Sequence, residues 1–269
     1  MQTGRHVATL IALCGAAACG TAGLNEDLIF LDGRGVAAAG DSLLVVTRPD
    51  TGGVVVIDRR SGAVYRRASN GLTGPQHVQL LDDRWYVSDI RDGVAEIAVF
   101  TSTWQPAERI SLNTRSGAAH QFAVLPDGRI IVEAPDGRLV AIDGDTVVTF
   151  ALVEQSARTG LLIAAQGGVV HAVPDRSLTL YNGLGKVRWR LPWPWQPTAY
   201  VADLAVDPRG RIHILAGEGE RQPTFVAFTI SSITGEVVRW SAPGTAATFS
   251  VDRVGTLQVA DPVRWLRDH

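Results

Sequence analysis

Residues 121–152 read QFAVL-PDG-RIIVE-A-PDG-RLVAID-GD-TVVTFAL. Short apolar runs alternate here with Pro-Asp-Gly triplets, Pro126-Asp127-Gly128 and Pro135-Asp136-Gly137. Proline pre-sets φ at the start of a turn, and glycine takes the positive φ that closes it. Apolar runs bounded in this way are strands. The stretch therefore predicts strands Gln121–Leu125, Arg129–Glu133, Arg138–Asp143 and Thr146–Leu152, one four-stranded antiparallel unit.

The turn that opens the second strand of this unit recurs along the chain. It stands at Gly40-Asp41-Ser42, Asp82-Asp83-Arg84, Asp127-Gly128-Arg129, Gly167-Gly168-Val169, Gly210-Arg211 and Gly255-Thr256. Between Ser42, Arg84, Arg129, Val169, Arg211 and Thr256 the steps are 42, 45, 40, 42 and 45 residues. A repeat of that length built from short strands predicts an all-β, six-bladed β-propeller with four-stranded blades. Unit one is expected as Val36–Ala39, Leu43–Thr47, Gly53–Asp58 and Ala63–Arg67, and unit two as Val78–Leu81, Trp85–Asp89, Glu96–Thr101 and Ala107–Leu112. Unit four is expected as Leu161–Ala165, Val169–Val173, Ser177–Asn182 and Lys186–Leu191; unit five opens with Leu204–Val206 and Arg211–Ala216. Unit six has only Ala247–Val251, Thr256–Ala260 and Val263–Arg267. The strand it lacks is supplied by Leu28–Leu31, because a ring left open would expose unpaired edges.

Composition agrees with many short strands: 46% of residues are hydrophobic, Gly numbers 28, and there is a single Met. A formal net charge of -2, with arginines scattered along the turns, argues against nucleic acid as a partner. The N-terminus differs in kind. Arg5 and His6 precede the apolar run Val7–Leu13, which is too short to span a bilayer, and Ala16-Ala17-Ala18-Cys19-Gly20 follows. This is the pattern of a secretory signal. Its Cys19 resembles the lipidated cysteine of a bacterial lipobox, with Ala16 standing where that pattern usually has Leu. The expected organisation is a leader at 1–18, a tether at 19–27 and the propeller at 28–269, exported and held at the cell envelope by lipid on Cys19. Plain secretion and an uncleaved anchor are the alternatives.

The recurring form, apolar strand, Asp-x-x-Gly-type turn, strand ending in Asp, resembles the six-bladed propellers of the NHL-repeat and TolB-like kind. Tyr86-Val87-Ser88-Asp89 and Ala205-Val206-Asp207-Pro208-Arg209-Gly210 carry it best, and it covers residues 28–267. The resemblance implies an architecture that lactonases, lyases, sensors and scaffolds share. The calcium-dependent lactonases of this shape present an acidic residue at the first blade and Asn and Asp around the channel. Here Arg34-Gly35-Val36 stands at that place, and no Asn begins an inner strand.

Strand alternation puts the short first-to-second and third-to-fourth turns on one side of the disc. The longer loops, 69–76, 113–119, 155–160, 192–202 and 217–223, share the other side with the inter-blade connections. Function usually sits on variable loops carried by a rigid frame. At the channel mouth on that side stand His77, His120, Gln121 and Asp203, with Gly35, Gly160 and Thr248 from the other units. Two imidazoles and a carboxylate there are the candidates for acid–base or metal chemistry, against the reading that they bind water and cap strand ends. Asp89, Glu133 and Asp261 end second strands near Arg48, Arg91 and Arg176, either to hold a charged ligand or to cap loops. Trp189, Trp193 and Trp195 alternate with Pro192, Pro194 and Pro197. They form either a ledge for a sugar or partner, or plugs between blades.

The sequence supports a non-catalytic binding or scaffold module for an envelope protein or glycan, monomeric and without a cofactor or metal. Binding is assigned to Trp193, Trp195, Gln121, Arg48, Asp89 and Glu133. The alternative is a lactonase-like hydrolase or lyase with His77, His120 and Asp203 at the channel.

Overall fold

Both Pro-Asp-Gly turns of the third repeat are wired alike. The Gly128 N–H donates to the Leu125 carbonyl (2.9 Å), and the Leu125 N–H donates to that of Arg129 (2.9 Å). Gly137 and Ala134 repeat the pattern with Arg138, at 2.9 and 2.8 Å. The closing glycines have φ +87° and +81°, a region costly to any residue with a Cβ. Elsewhere aspartate takes over this role: Asp82 and Asp83 make the turn from Leu81 to Arg84 with φ of 47° and 60°.

The computed structural model describes residues 36–39, 43–49, 51–58, 63–112, 121–134, 136–153, 160–173, 176–193, 200–206, 209–218, 224–240, 249–251 and 257–259. Leu28–Leu31, Cys19, His120, Trp195, Asp261 and Val263–Arg267 lie outside the described residues. Five four-stranded antiparallel sheets follow one another along the chain. Blade one is β1 (Val36–Ala39), β2 (Leu43–Arg48), β3 (Gly53–Asp58) and β4 (Val64–Ala68). Blade two is β5 (His77–Leu81), β6 (Arg84–Arg91), β7 (Val94–Thr101) and β8 (Pro106–Ser111). Blade three is β9 (Ala123–Val124), β10 (Ile130–Glu133), β11 (Leu139–Asp143) and β12 (Thr146–Ala151). Blade four is β13 (Leu161–Ala165), β14 (Gly168–Val173), β15 (Ser177–Asn182) and β16 (Val187–Pro192). Blade five is β17 (Tyr200–Val206), β18 (Ile212–Glu218), β19 (Thr224–Ile230) and β20 (Val237–Trp240).

The fold is an all-β propeller with five full blades among the described residues, where six were expected. The sixth repeat contributes a two-stranded sheet, β21 (Phe249–Val251) with β22 (Leu257–Val259). Neighbouring inner strands touch in chain order from β1 to β17, and β21 touches both β17 and β1.

Most strand limits fall within a residue or two of those read from the sequence. Two differ for physical reasons. β17 starts at Tyr200 rather than Leu204, because a bulge between Val201 and Asp203 lets pairing continue to Tyr200 opposite Gly217. β9 shrinks to Ala123–Val124 because the Leu125 amide belongs to the turn.

The core lies in the seams between blades. Val45, Trp85, Phe100 and Trp104 fill the first seam, and Ile97, Leu112, Phe122 and Val132 the second. Leu125, Ile131, Leu139 and Tyr181 fill the third, and Leu180, Ile212, Ile214 and Phe228 the fourth. A blade packed on both faces needs apolar residues at successive positions, so β14 (Gly168–Val173) is buried along its whole length.

Candidate functional site

On the variable-loop side, the ends of the inner and second strands of blades two to four bring polar groups into the seams. His77 opens β5, and its backbone N–H donates to the Ser88 hydroxyl at 3.0 Å. Its ring faces blade three, not the channel, and meets the Phe122 ring edge-on at 5.4 Å. Strand alternation sends Gln79 the same way. Its carboxamide donates to the Phe122 carbonyl (3.0 Å) and accepts from the Val124 N–H (3.1 Å), tying β5 to β9.

Both ring nitrogens of His77 are buried without a hydrogen-bond partner, and so is Oε1 of Gln121. Among the described residues these three are the buried side-chain polar atoms left unpaired. Burial pushes the His77 imidazole down to about 4, so the ring is neutral at pH 7.

Gln121 faces the next seam, since Ala123, two residues on, packs there with Ile131. Glu133, two residues beyond Ile131 on β10, points into the same seam. Its Oε2 accepts from the Gly160 N–H at 2.9 Å and lies 3.2 Å from His171 Nε2. The His171 side chain is 2% exposed and that of Glu133 18%. Gly160 is required here: a Cβ at that position would stand 2.2 Å from His171 Nε2.

Asp89 is spent on its own loop. The carboxylate accepts from the N–H groups of Thr73 (3.0 and 3.1 Å) and Gly74 (2.6 Å), with Arg109 at 3.9 Å. Arg109 also pairs with Glu96, and both it and Arg91 donate to the Gly71 carbonyl. The guanidinium of Arg109 is held below the usual arginine range, first by burial and then by Arg91. Arg48 ends β2 half-buried, and Arg176 is exposed in the turn before β15, its carbonyl accepting from the Trp193 N–H at 3.1 Å.

Trp193 is half-buried against the fourth seam, edge-on to Phe228 at 6.0 Å. The Trp189 indole N–H donates to the Ser232 carbonyl at 2.7 Å. Asp203 is a strand residue of β17. The structure thus joins Glu133 to Gly160, sets Gln121 in the same seam, and leaves His77 one seam away.

His171 was not singled out from the sequence, nor was His213, whose Nδ1 lies 3.0 Å from the Thr229 hydroxyl. A signal was available. Both stand two residues past the turn markers Val169 and Arg211, and each faces a threonine, His171 opposite Thr179 and His213 opposite Thr229.

No group of three or more His, Cys, Asp or Glu side chains among the described residues is arranged to hold a metal ion. No protein-family model and no curated protein matches the chain. Solved structures do match it in shape. A catalytically inactive H270A virginiamycin B lyase from Staphylococcus aureus, with quinupristin, has a TM-score of 0.59 at 10% identity, covering 81% of this chain and 73% of that one. The Kuenenia stuttgartiensis hydrazine synthase gives 0.58 at 14% identity, with 84% and 73% covered. The WD40 β-propeller domain of Doa1 gives 0.56 at 13% identity, with 84% and 88% covered. At such identities the likeness is one of fold, and the fold is the β-propeller.

Proposed function

We propose that this protein is a non-catalytic binding module, taking a neutral hydrogen-bonding ligand on the variable-loop side of blades two to four. The observation that carries this is the unpaired set of His77 Nδ1, His77 Nε2 and Gln121 Oε1. A buried polar group without a partner costs about 1–3 kcal/mol, so native folds keep few of them and each calls for a reason. A neutral imidazole offers one donor and one acceptor, and a carboxamide oxygen an acceptor. Standing in adjacent seams, the two groups suit a ligand long enough to reach both, with sugar hydroxyls or peptide amides to offer, and they give no charge to hold a phosphate. The ligand class is therefore a glycan or an extended segment of an envelope protein. Arrays of glycans and peptides test it: His77→Leu with Gln121→Leu should lose capture at least tenfold while the fold stays intact. Undiminished capture would overturn the reading.

A second reading rests on Glu133 and His171. A carboxylate 3.2 Å from an imidazole is an arrangement suited to proton transfer. The virginiamycin B lyase of similar shape is described as inactive when one histidine becomes alanine. This reading makes the protein a hydrolase or lyase of lactones or esters, with Glu133 and His171 in the roles first sought at His77, His120 and Asp203. Turnover on such a panel that disappears in His171→Ala would establish it, and would displace the binding reading.

The architecture proposed is six blades of the NHL-repeat or TolB-like kind, with β21 and β22 as the sixth. The position of β21 between β17 and β1 supports it, as does the match between a blade short of one strand and the spare strand Leu28–Leu31. Export and a lipid anchor on Cys19 rest on the leader-like N-terminus. Cys19→Ala should move the protein from the membrane fraction to the soluble one, and unchanged fractionation would remove the anchor from the account.

A further inference from the structure

The outer strands of propeller blades are free sheet edges, and most of them here are blunted against pairing. β4 carries Arg66 and Arg67, β8 carries Pro106, Glu108 and Arg109, β16 carries Arg188, Arg190 and Pro192, and β20 carries Arg239. Charge and proline on an edge strand discourage another strand from adding to it. Each of these four strands also has a bulge near its start, at Tyr65, Ala107, Arg188 and Val238. A bulge there twists the entering edge away from a flat partner.

The outer strand of blade three departs from this pattern twice. β12 reads Thr-Val-Val-Thr-Phe-Ala, with no charge and no proline. Its bulge falls at Phe150, near its far end, so Thr146–Thr149 runs in unbroken register along Val140–Asp143. Val147 is 58% and Val148 51% exposed. Leu184 is exposed too, on the blade-four hairpin whose Gly185 packs against the Phe150 carbonyl.

We propose that β12 is the interface for a second copy of this chain, pairing antiparallel with its own counterpart across a two-fold axis. The segment Thr146-Val147-Val148-Thr149 reads the same in both directions. A two-fold between Val147 and Val148 sets Val147 against Val148 of the second copy, and Thr146 against Thr149. Threonine–threonine pairs hydrogen-bond across strands, and facing valines remove apolar surface from water. Asp145 falls outside the paired segment, opposite Phe150 of the second copy, so no like charges meet. A cyclic two-fold contact also closes on itself, which limits assembly to a dimer although the edge is unprotected. The exposed Arg138 guanidinium reaches the Thr149 hydroxyl at 3.2 Å and is paired with Asp136, so the charge beside this edge is already matched, and the palindromic segment favours the self-complementary partner. β12 is an outer strand, away from the His77 and Gln121 groups at the inner-strand starts of blades two and three.

The test is sedimentation equilibrium of the full chain under reducing conditions, across low to high micromolar concentration. The wild type should rise from the chain mass toward twice that mass. Val147→Lys with Val148→Lys should remain at the chain mass with an unchanged melting temperature, because both positions are exposed and the blade itself is not disturbed. Mixing that variant with Val147→Glu/Val148→Glu should restore the doubled mass, since lysine then faces glutamate across the axis. A wild type that stays at the chain mass throughout would overturn the proposal. So would a lysine variant that dimerises as the wild type does, or a lysine–glutamate mixture that does not dimerise.

Discussion

Glu133 and His171 belong to different repeats, yet their side chains meet at 3.2 Å across the seam between blades three and four. The Gly160 N–H donates to the same carboxylate oxygen, and this three-way contact leaves no room for a side chain at residue 160. Gly160→Ala should therefore force the imidazole from its place, because the inserted Cβ would lie 2.2 Å from its Nε2. Overpacking of this kind costs about 1–3 kcal/mol, a fall of several degrees in Tm. An unchanged unfolding midpoint would show that the seam is not closed by this contact.

His77 predicts a particular acid limb in the stability curve. Its folded-state value of about 4 lies below the ordinary 6.5, so between these pH values the unfolded chain binds a proton that the folded chain refuses. The stability this group contributes is whole above pH 6.5, falls as pH drops, and is gone below pH 4. A shift of this size corresponds to about 3 kcal/mol. His77→Leu removes the proton uptake, so the variant should lose correspondingly less stability than wild type between pH 6.5 and 4 in denaturant titrations. Parallel curves for the two proteins would contradict a buried neutral ring.

Asp89 holds the loop of residues 69–76 by accepting from Thr73 and Gly74. Asp89→Ala leaves those amides without their charged acceptor and should cost about 3 kcal/mol, with Asp89→Asn keeping part of it. Hydrogen exchange at Thr73 and Gly74 should accelerate in the alanine variant. Protection equal to wild type would assign those amides another acceptor.

Trp193 packs its ring edge against Phe228 and rests on the seam of blades four and five. Trp193→Ala should destabilise the fold by about 2–3 kcal/mol, less than a fully buried ring would lose. A variant that keeps its Tm but loses ligand capture would return this indole to the role of an exposed ledge.

Much of the framework is legible from the chain. The Pro-Asp-Gly and Asp-Asp turns declare themselves because φ preference is a property of one or two residues. Strands such as Val36–Ala39, Gly53–Asp58, Leu161–Ala165 and Ser177–Asn182 match their expected limits, because turn residues bound them locally. Part of the candidate site is legible for the same reason. His77, Gln121 and Glu133 stand at strand ends, where a reading by repeats already places polar groups at one side of the disc. His171 is not, since it sits in the middle of β14 among buried residues and reads as part of the core.

By itself, then, the sequence determined the repeated strands and their turns, which follow from preferences within a few neighbouring residues. The tertiary structure decided which blade each strand face meets. It turned His77 toward Phe122 instead of the channel, and set Glu133 against a histidine 38 residues away. Such contacts depend on how twisted sheets pack face to face, and nothing local to either residue encodes its partner.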